Sequence, residues 1–240
     1  LAARRAAGAR VLRVDDGPRG EVPCDAFLNQ NPGAERNSPS LPPEALPLLG
    51  PRWAALRSAF ARVGERRAAR AEAQNFLISF GGEDPADATS TALRALRRVK
   101  SPFAAVVVIG PDNPRADALA KLAEGLPVRL ERMADMPALM GKADLALVGG
   151  GVTMLEACAA GLPTLVATVA GNQEAGAASL AGLGLVRSLG RASELDEIAL
   201  SRELDALFGN ESELTRLSTS CRAAVDGRGA ARVAAALLAL

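Results

Sequence analysis

Residues 149–163 read GGGVTMLEACAAGLP, three glycines between an apolar run and a helix-forming stretch. A strand–glycine–helix turn exposes backbone N–H groups, and the helix N-terminus adds a partial positive charge. Together they bind anions, phosphate above all. Glycine lets a phosphate approach Gly150 and Gly151 closely. Thr153 can cap the helix and donate to a phosphate oxygen. Glu156 would repel phosphate, but it can accept from two neighbouring hydroxyls, such as those of a ribose. Thr153 and Glu156 fit a T-x-x-E capping box equally well, and that arrangement needs no ligand. The turn matches neither the P-loop spacing nor a dinucleotide fingerprint.

Two other loops have related chemistry. In SFGGEDPADAT, Gly81 and Gly82 leave an apolar run, and Asp84 or Thr89 can cap the helix that follows. The bland reading is a plain turn between strand and helix. Asn172 and Gln173 follow another apolar run, and their amides can reach phosphate oxygens or sugar hydroxyls. Asn172 can equally be a simple N-cap.

These loops need a scaffold, and the apolar pattern supplies one. Strands are expected at 75–80, 104–110, 128–133, 144–151 and 163–171. Helices are expected at 90–99, 115–125, 134–143, 153–161, 172–184, 193–209, 211–225 and 229–240. Strands apolar throughout and alternating with helices predict an α/β fold, a Rossmann-like doubly wound parallel sheet covered on both faces. Such a sheet binds ligands beyond the carboxyl ends of its strands, where all three loops fall. Before residue 74 the pattern is less regular. Short strands are expected at 10–14 and 24–31. Six prolines make 32–51 an irregular connector, and 52–73 reads as a basic helix with Trp53, Leu56, Phe60 and Val63 at helical spacing. That helix reads as a solvated face or linker. The last helix, GAARVAAALLAL, has apolar spacing suited to packing against another domain, and its exposure would favour self-association.

Composition narrows the function. The 240 residues are 49% hydrophobic and 23% charged, with a net charge of +1. That balance argues against nucleic-acid or anionic-membrane partners. No apolar run approaches the roughly 18 residues that span a bilayer, and residues 1–16 lack the apolar core of a secretory signal. Cys24, Cys158 and Cys221 are scattered, as free thiols in a reducing cytoplasm would be. The chain contains no histidine and no tyrosine, so its own proton transfer would fall to carboxylates, lysine, a thiol or water. No cysteine or carboxylate cluster has metal-ligand spacing, and no cofactor is implied.

The ordered set ISFGGEDP, ADLALVGGGVTMLEACAAGLPTLV and AGNQ resembles the C-terminal half of the GT-B sugar-nucleotide enzymes related to MurG. VLRVDDGPRGEVPCDAFLNQNPG and LLGPRWAALRSAF resemble the linker region of the PseG/SpsG family within that group. The resemblance covers almost the whole chain. It implies residues 1–73 as a remnant of an N-terminal domain and linker, and 74–240 as the nucleotide-binding domain. It further implies hydrolysis of a UDP-linked diacetamido-trideoxy sugar, as in pseudaminic acid biosynthesis. Transfer by a related glycosyltransferase and a non-catalytic sugar-nucleotide-binding remnant are the alternatives. Gly150, Gly151 and Thr153 would then face the diphosphate, and Glu156 the ribose hydroxyls. Backbone near Met133 would meet the uracil. Gly81, Gly82, Asn172 and Gln173 would close around phosphates and sugar, with Asp84 supporting its loop. The chain departs from the family in several places. The family's histidine-bearing glycine-rich loop has no counterpart here, which implies about one domain before residue 1. Glu83 and Val152 replace small hydroxyl residues, and Val22-Pro23-Cys24 stands where a histidine is expected. No catalytic residue is assigned.

Overall fold

The five segments after residue 74 expected as strands pair, with a sixth that the pattern did not mark, into one parallel sheet in the computed structural model, which describes residues 8–16, 23–36, 40–66 and 73–240. Its strands are β4 (Asn75–Ser79), β5 (Ala104–Val108), β6 (Val128–Glu131), β7 (Leu145–Val148), β8 (Thr164–Thr168) and β9 (Arg187–Arg191), in the spatial order β6-β5-β4-β7-β8-β9. Every pair is parallel. The chain builds outward from β4 in one direction, then returns to β7 beside it and builds outward in the other. This is the order of a doubly wound dinucleotide-type sheet, and its switch point lies between β4 and β7.

Side-chain alternation feeds two cores. Phe76, Ile78, Val107, Leu147 and Leu165 pack against α2 (Ala88–Leu96), α3 (Ala116–Ala123) and α7 (Glu197–Phe208). Leu77, Ala146, Val148 and Val166 pack on the other face. Their partners include α4 (Met136–Lys142), α5 (Val152–Ala159), α6 (Gly171–Gly182) and Cys221 of α8 (Glu211–Ala224). With helices on both faces, β7 and β8 are buried at every position.

A second, three-stranded parallel sheet is made by β1 (Leu12–Val14), β2 (Ala26–Asn29) and β3 (Leu46–Leu49), in that order. β3 lies inside the segment expected to be an irregular connector. It tolerates Pro47 because it is an edge strand. Leu46 N donates to Asp25 O and Gly50 N to Asn29 O, so the even-numbered positions face β2 and the proline nitrogen faces outward.

The expected helix over 52–73 is shorter than its pattern. Pro51–Trp53 is a 3₁₀ turn, and α1 spans Ser58–Arg66. Residues 67–72 lie outside the described residues. Nor is α1 merely a solvated linker, because Phe60, Ala61 and Gly64 are buried. Gly64 comes so close to α5 that a Cβ there would stand 2.2 Å from Ala159 O.

The apolar C-terminal helix, α9 (Gly229–Leu238), does pack against a separate sheet, and that sheet belongs to this chain. Val233, Ala236 and Leu237 lie on Leu28, Leu46 and Leu48. Most of the tail's apolar side is thereby covered, which weakens the reasoning for self-association, although Leu238 remains 90% exposed. The helix starts where the backbone of Ala54 leaves no room for a side chain, since a Cβ at Gly229 would stand 2.2 Å from Ala54 O. Gly229→Ala should therefore destabilise by about 1–3 kcal/mol through overpacking. Thermal unfolding should show Tm falling by roughly 2–4 °C per kcal/mol. An unchanged Tm would mean that α9 does not dock this closely.

Candidate functional site

At the switch point β4 and β7 end side by side, and Gly149 N donates to Ser79 O at 3.1 Å. Gly81 and Gly82 follow β4; Gly149, Gly150 and Gly151 follow β7. Two glycine loops far apart in sequence thus flank one crevice.

The two helices that leave this crevice differ at their N-termini. Asp84, buried and in the left-handed region at φ 42°, accepts from Ala88 N at 3.0 Å and Thr89 N at 2.9 Å. Of the two cap candidates in that loop the structure selects Asp84, and its carboxylate occupies the first N–H groups of α2. At α5 the N-cap is Gly151, with no side-chain cap. Thr153 therefore does not cap the helix. The helix begins two residues earlier than the T-x-x-E pattern requires, which places Thr153 at its second position and Glu156 at its fifth. The capping-box reading is overturned, and the first-turn N–H groups have no side-chain acceptor.

The glycine turn is instead braced from α6. Gln173 Oε1 accepts from Gly150 N at 3.1 Å and from Val169 N at 3.0 Å. This oxygen is bonded to backbone, and so it is not available to a ligand. A Cβ at Gly150 would lie 3.0 Å from Thr168 Cγ2 and 3.1 Å from Gln173 Cβ, so the brace works only around a residue without a side chain.

Gly150, Gly151, Asn172 and Gln173 line a cleft of about 480 Å³, within the usual range for small-molecule sites. Its opposite wall comes from the carboxyl ends of β1 and β2 and includes Asp16, Asn29, Gln30 and Asn31. Asn172 Nδ2 and Asp16 Oδ2 meet across it at 3.4 Å. The sequence reading assigned none of these four opposing residues to the site, although all lie in the family-like segment VLRVDDGPRGEVPCDAFLNQNPG. Their signal was position at the ends of parallel strands, legible only once the small sheet is known.

The other expected site residues lie outside that lining. Gly81 and Gly82 border open space, and Met133 is 89% exposed beyond the end of β6. Thr153 and Glu156 are half-buried on α5. Burial pushes the Glu156 carboxyl above its ordinary value, and the Arg57 guanidinium partly opposes that shift. Among the described residues no helix is long and apolar enough to cross a membrane, and no group of three or more His, Cys, Asp or Glu could hold a metal. Cys24, Cys158 and Cys221 are buried, and among the described residues they form no disulfide.

A doubly wound sheet facing a smaller parallel sheet across a cleft is the arrangement of the GT-B glycosyltransferase fold. Over the whole chain the structure superposes on 69% of MurG from Acinetobacter baumannii, with a TM-score of 0.70 at 19% identity. Over 89% of the chain it superposes on 52% of the calicheamicin glycosyltransferase CalG4, with a TM-score of 0.56 at 19% identity. Residues 75–195 match the family described as glycosyl transferases group 1, and the chain belongs to that family. It is similar to the spore coat polysaccharide biosynthesis protein SpsG of Bacillus subtilis (strain 168), 29% identical over 78% of this chain and 57% of that protein. It is also similar to an uncharacterized protein of Methanocaldococcus jannaschii, 32% identical over 51% of this chain and 27% of that protein. The chain thus spans only part of the curated relatives it matches.

Two outcomes follow from this geometry. Gln173→Ala leaves two backbone N–H groups without an acceptor and should cost about 1–3 kcal/mol in denaturant unfolding. Gln173→Glu keeps an acceptor oxygen and should lose less; equal losses would show that the brace is not a hydrogen bond. Because folding raises the Glu156 pKa, its ionised form is disfavoured in the folded protein. Stability relative to Glu156→Gln should therefore decline as pH rises from below the ordinary carboxylate value of 4.5 towards neutrality. Unfolding curves for both proteins at pH 4 and pH 7 measure this, and a pH-independent difference would contradict it.

Proposed function

We propose that the uncapped glycine turn holds the diphosphate of a UDP-sugar, and that the complete protein cleaves the bond between the sugar and that diphosphate. The observation that carries this reading is the bare N-terminus of α5 at the switch point, beside a helix whose own N-terminus is occupied by Asp84. Gly82 and Gly151 add support. Neither has a left-handed φ, and a Cβ at Gly82 would meet nothing, while one at Gly151 would make only an ordinary contact. Packing does not require glycine there, whereas close approach of a ligand to the backbone does.

In this reading Gly150, Gly151 and Thr153 face the diphosphate, and Glu156 accepts from the ribose hydroxyls with Arg57 nearby. The backbone at Met133 meets the uracil edge. Gly81, Gly82, Asn172 and the Nε2 amide of Gln173 surround phosphates and sugar. Residues 74–240 without α9 form the nucleotide half, and α9 joins residues 1–73 in the opposing unit. Water attacks C1, the C–O bond breaks and UDP departs, its growing charge met by preoriented N–H groups. Resemblance to the PseG/SpsG family and similarity to SpsG support hydrolysis of a diacetamido-trideoxy sugar nucleotide, as in pseudaminic acid formation. Three buried cysteines without a disulfide fit a cytoplasmic setting. A second reading, transfer of the sugar to an acceptor, is favoured by the family's description.

Calorimetric titration with UDP tests the site. The wild-type chain should bind, and Glu156→Ala should weaken binding about tenfold or more. Equal affinity would remove Glu156 from the site, and no binding by the wild type would sink the nucleotide reading. UDP release from a UDP-sugar by the full-length protein without acceptor separates hydrolysis from transfer.

A further inference from the structure

The loop after β4 has a shape that its own residues do not favour. The non-glycine residues with left-handed φ among the described residues, Asp84 at 42° and Asp87 at 52°, both lie in it. Such a loop persists only where its surroundings hold it, and here they come from the neighbouring loop after β5. Arg115 Nη2 donates to Glu83 O at 3.0 Å and also to Asp84 O. Arg115 Nε lies 3.1 Å from the Asp87 carboxylate. Asn113 Oδ1 accepts from Arg115 N at 2.9 Å and so anchors the arginine's own backbone. Asn113 Nδ2 is buried without a partner among the described residues, a further unfavourable feature at the same place. Gly110 fits beneath, where a Cβ would stand 2.1 Å from Gly82 O.

We propose that Arg115 is a positioning residue for nucleotide binding. It holds the 81–84 loop as the jaw opposite Gly150 and Gly151, and it draws the carbonyls of Glu83 and Asp84 into a guanidinium instead of leaving them to repel phosphate. This inference rests on the nucleotide reading above. Arginine suits the place because Nη2 reaches both carbonyls while Nε, which makes no hydrogen bond among the described residues, stands as an ion-pair partner of Asp87, a spread of positions that a single ammonium does not reproduce. Gly110→Ala perturbs the same jaw from below, through steric contact instead of a lost bond.

The test is an NMR titration of the 240-residue chain with UDP and, separately, with uridine, which lacks the phosphates. Arg115→Ala and Gly110→Ala should weaken UDP about tenfold and leave uridine affinity unchanged. Their free spectra should show shifted Gly81 and Gly82 amides with Gly150 and Gly151 in place. Arg115→Lys should recover only part of the loss. Full recovery by lysine would make the effect one of charge alone and overturn positioning. Unchanged UDP affinity in Arg115→Ala, or equal loss of UDP and uridine, would reduce Arg115 to a structural role and also overturn it. Wild-type protein that binds neither ligand would instead refute the nucleotide reading, and this inference would fall with it.

Discussion

The pairing of β4 with β7 is the constraint on which the rest depends. Both strands are apolar on two faces, so both faces must be covered, and parallel pairing requires long crossovers that supply the covering helices. The chain leaves β4 for one face of the sheet and β7 for the other. The loops beyond their carboxyl ends therefore diverge and leave a crevice. Neither glycine loop makes that crevice alone. It follows from the register that sets Ser79 beside Val148.

Within the crevice, the handling of helix N-termini separates a structural turn from one that can take a ligand. Asp84 brings a carboxylate to the start of α2, satisfying its donors and opposing a second anion there. The start of α5 is held open from outside, by a glutamine oxygen bonded one residue upstream of the cap. Rigidity thus comes from Gln173, while the first-turn donors keep their capacity for an acceptor. A serine or threonine at the cap would have used that capacity internally.

The small sheet and α9 supply the facing wall. The first and last described segments of the chain meet in one apolar cluster, with Leu28 and Leu48 against Val233. The wall brings Asp16, Asn29, Gln30 and Asn31 to the cleft at and after the carboxyl ends of β1 and β2, among the apolar Val14, Leu28 and Pro32. Some of that polarity is internal. Gln30 Oε1 accepts from Ala55 N at 2.9 Å and Asn29 Oδ1 from Asn31 N at 3.0 Å, which ties the wall to the segment leading into α1. Arg36 Nη2 also donates to Ser179 Oγ of α6 at 3.4 Å.

The sequence by itself determined five of the six strands of the large sheet, and missed β9, whose residues are largely exposed. Runs such as FLI and LALV are apolar at every position, and the amphipathic stretches between them read correctly as helices, because burial on two faces leaves a continuous signal. It also placed the three loops at the carboxyl ends and limited the cap of α2 to two residues. It did not determine β3, whose four residues with a proline carry too weak a local signal against its neighbours. Nor did it determine the first residue of α5, and that single position decides whether Thr153 closes the turn or leaves it open. The partners of Gln173, Arg115 and α9 were also beyond reach. Each is a contact between residues distant in sequence, and its geometry exists only after the sheet has brought their elements together.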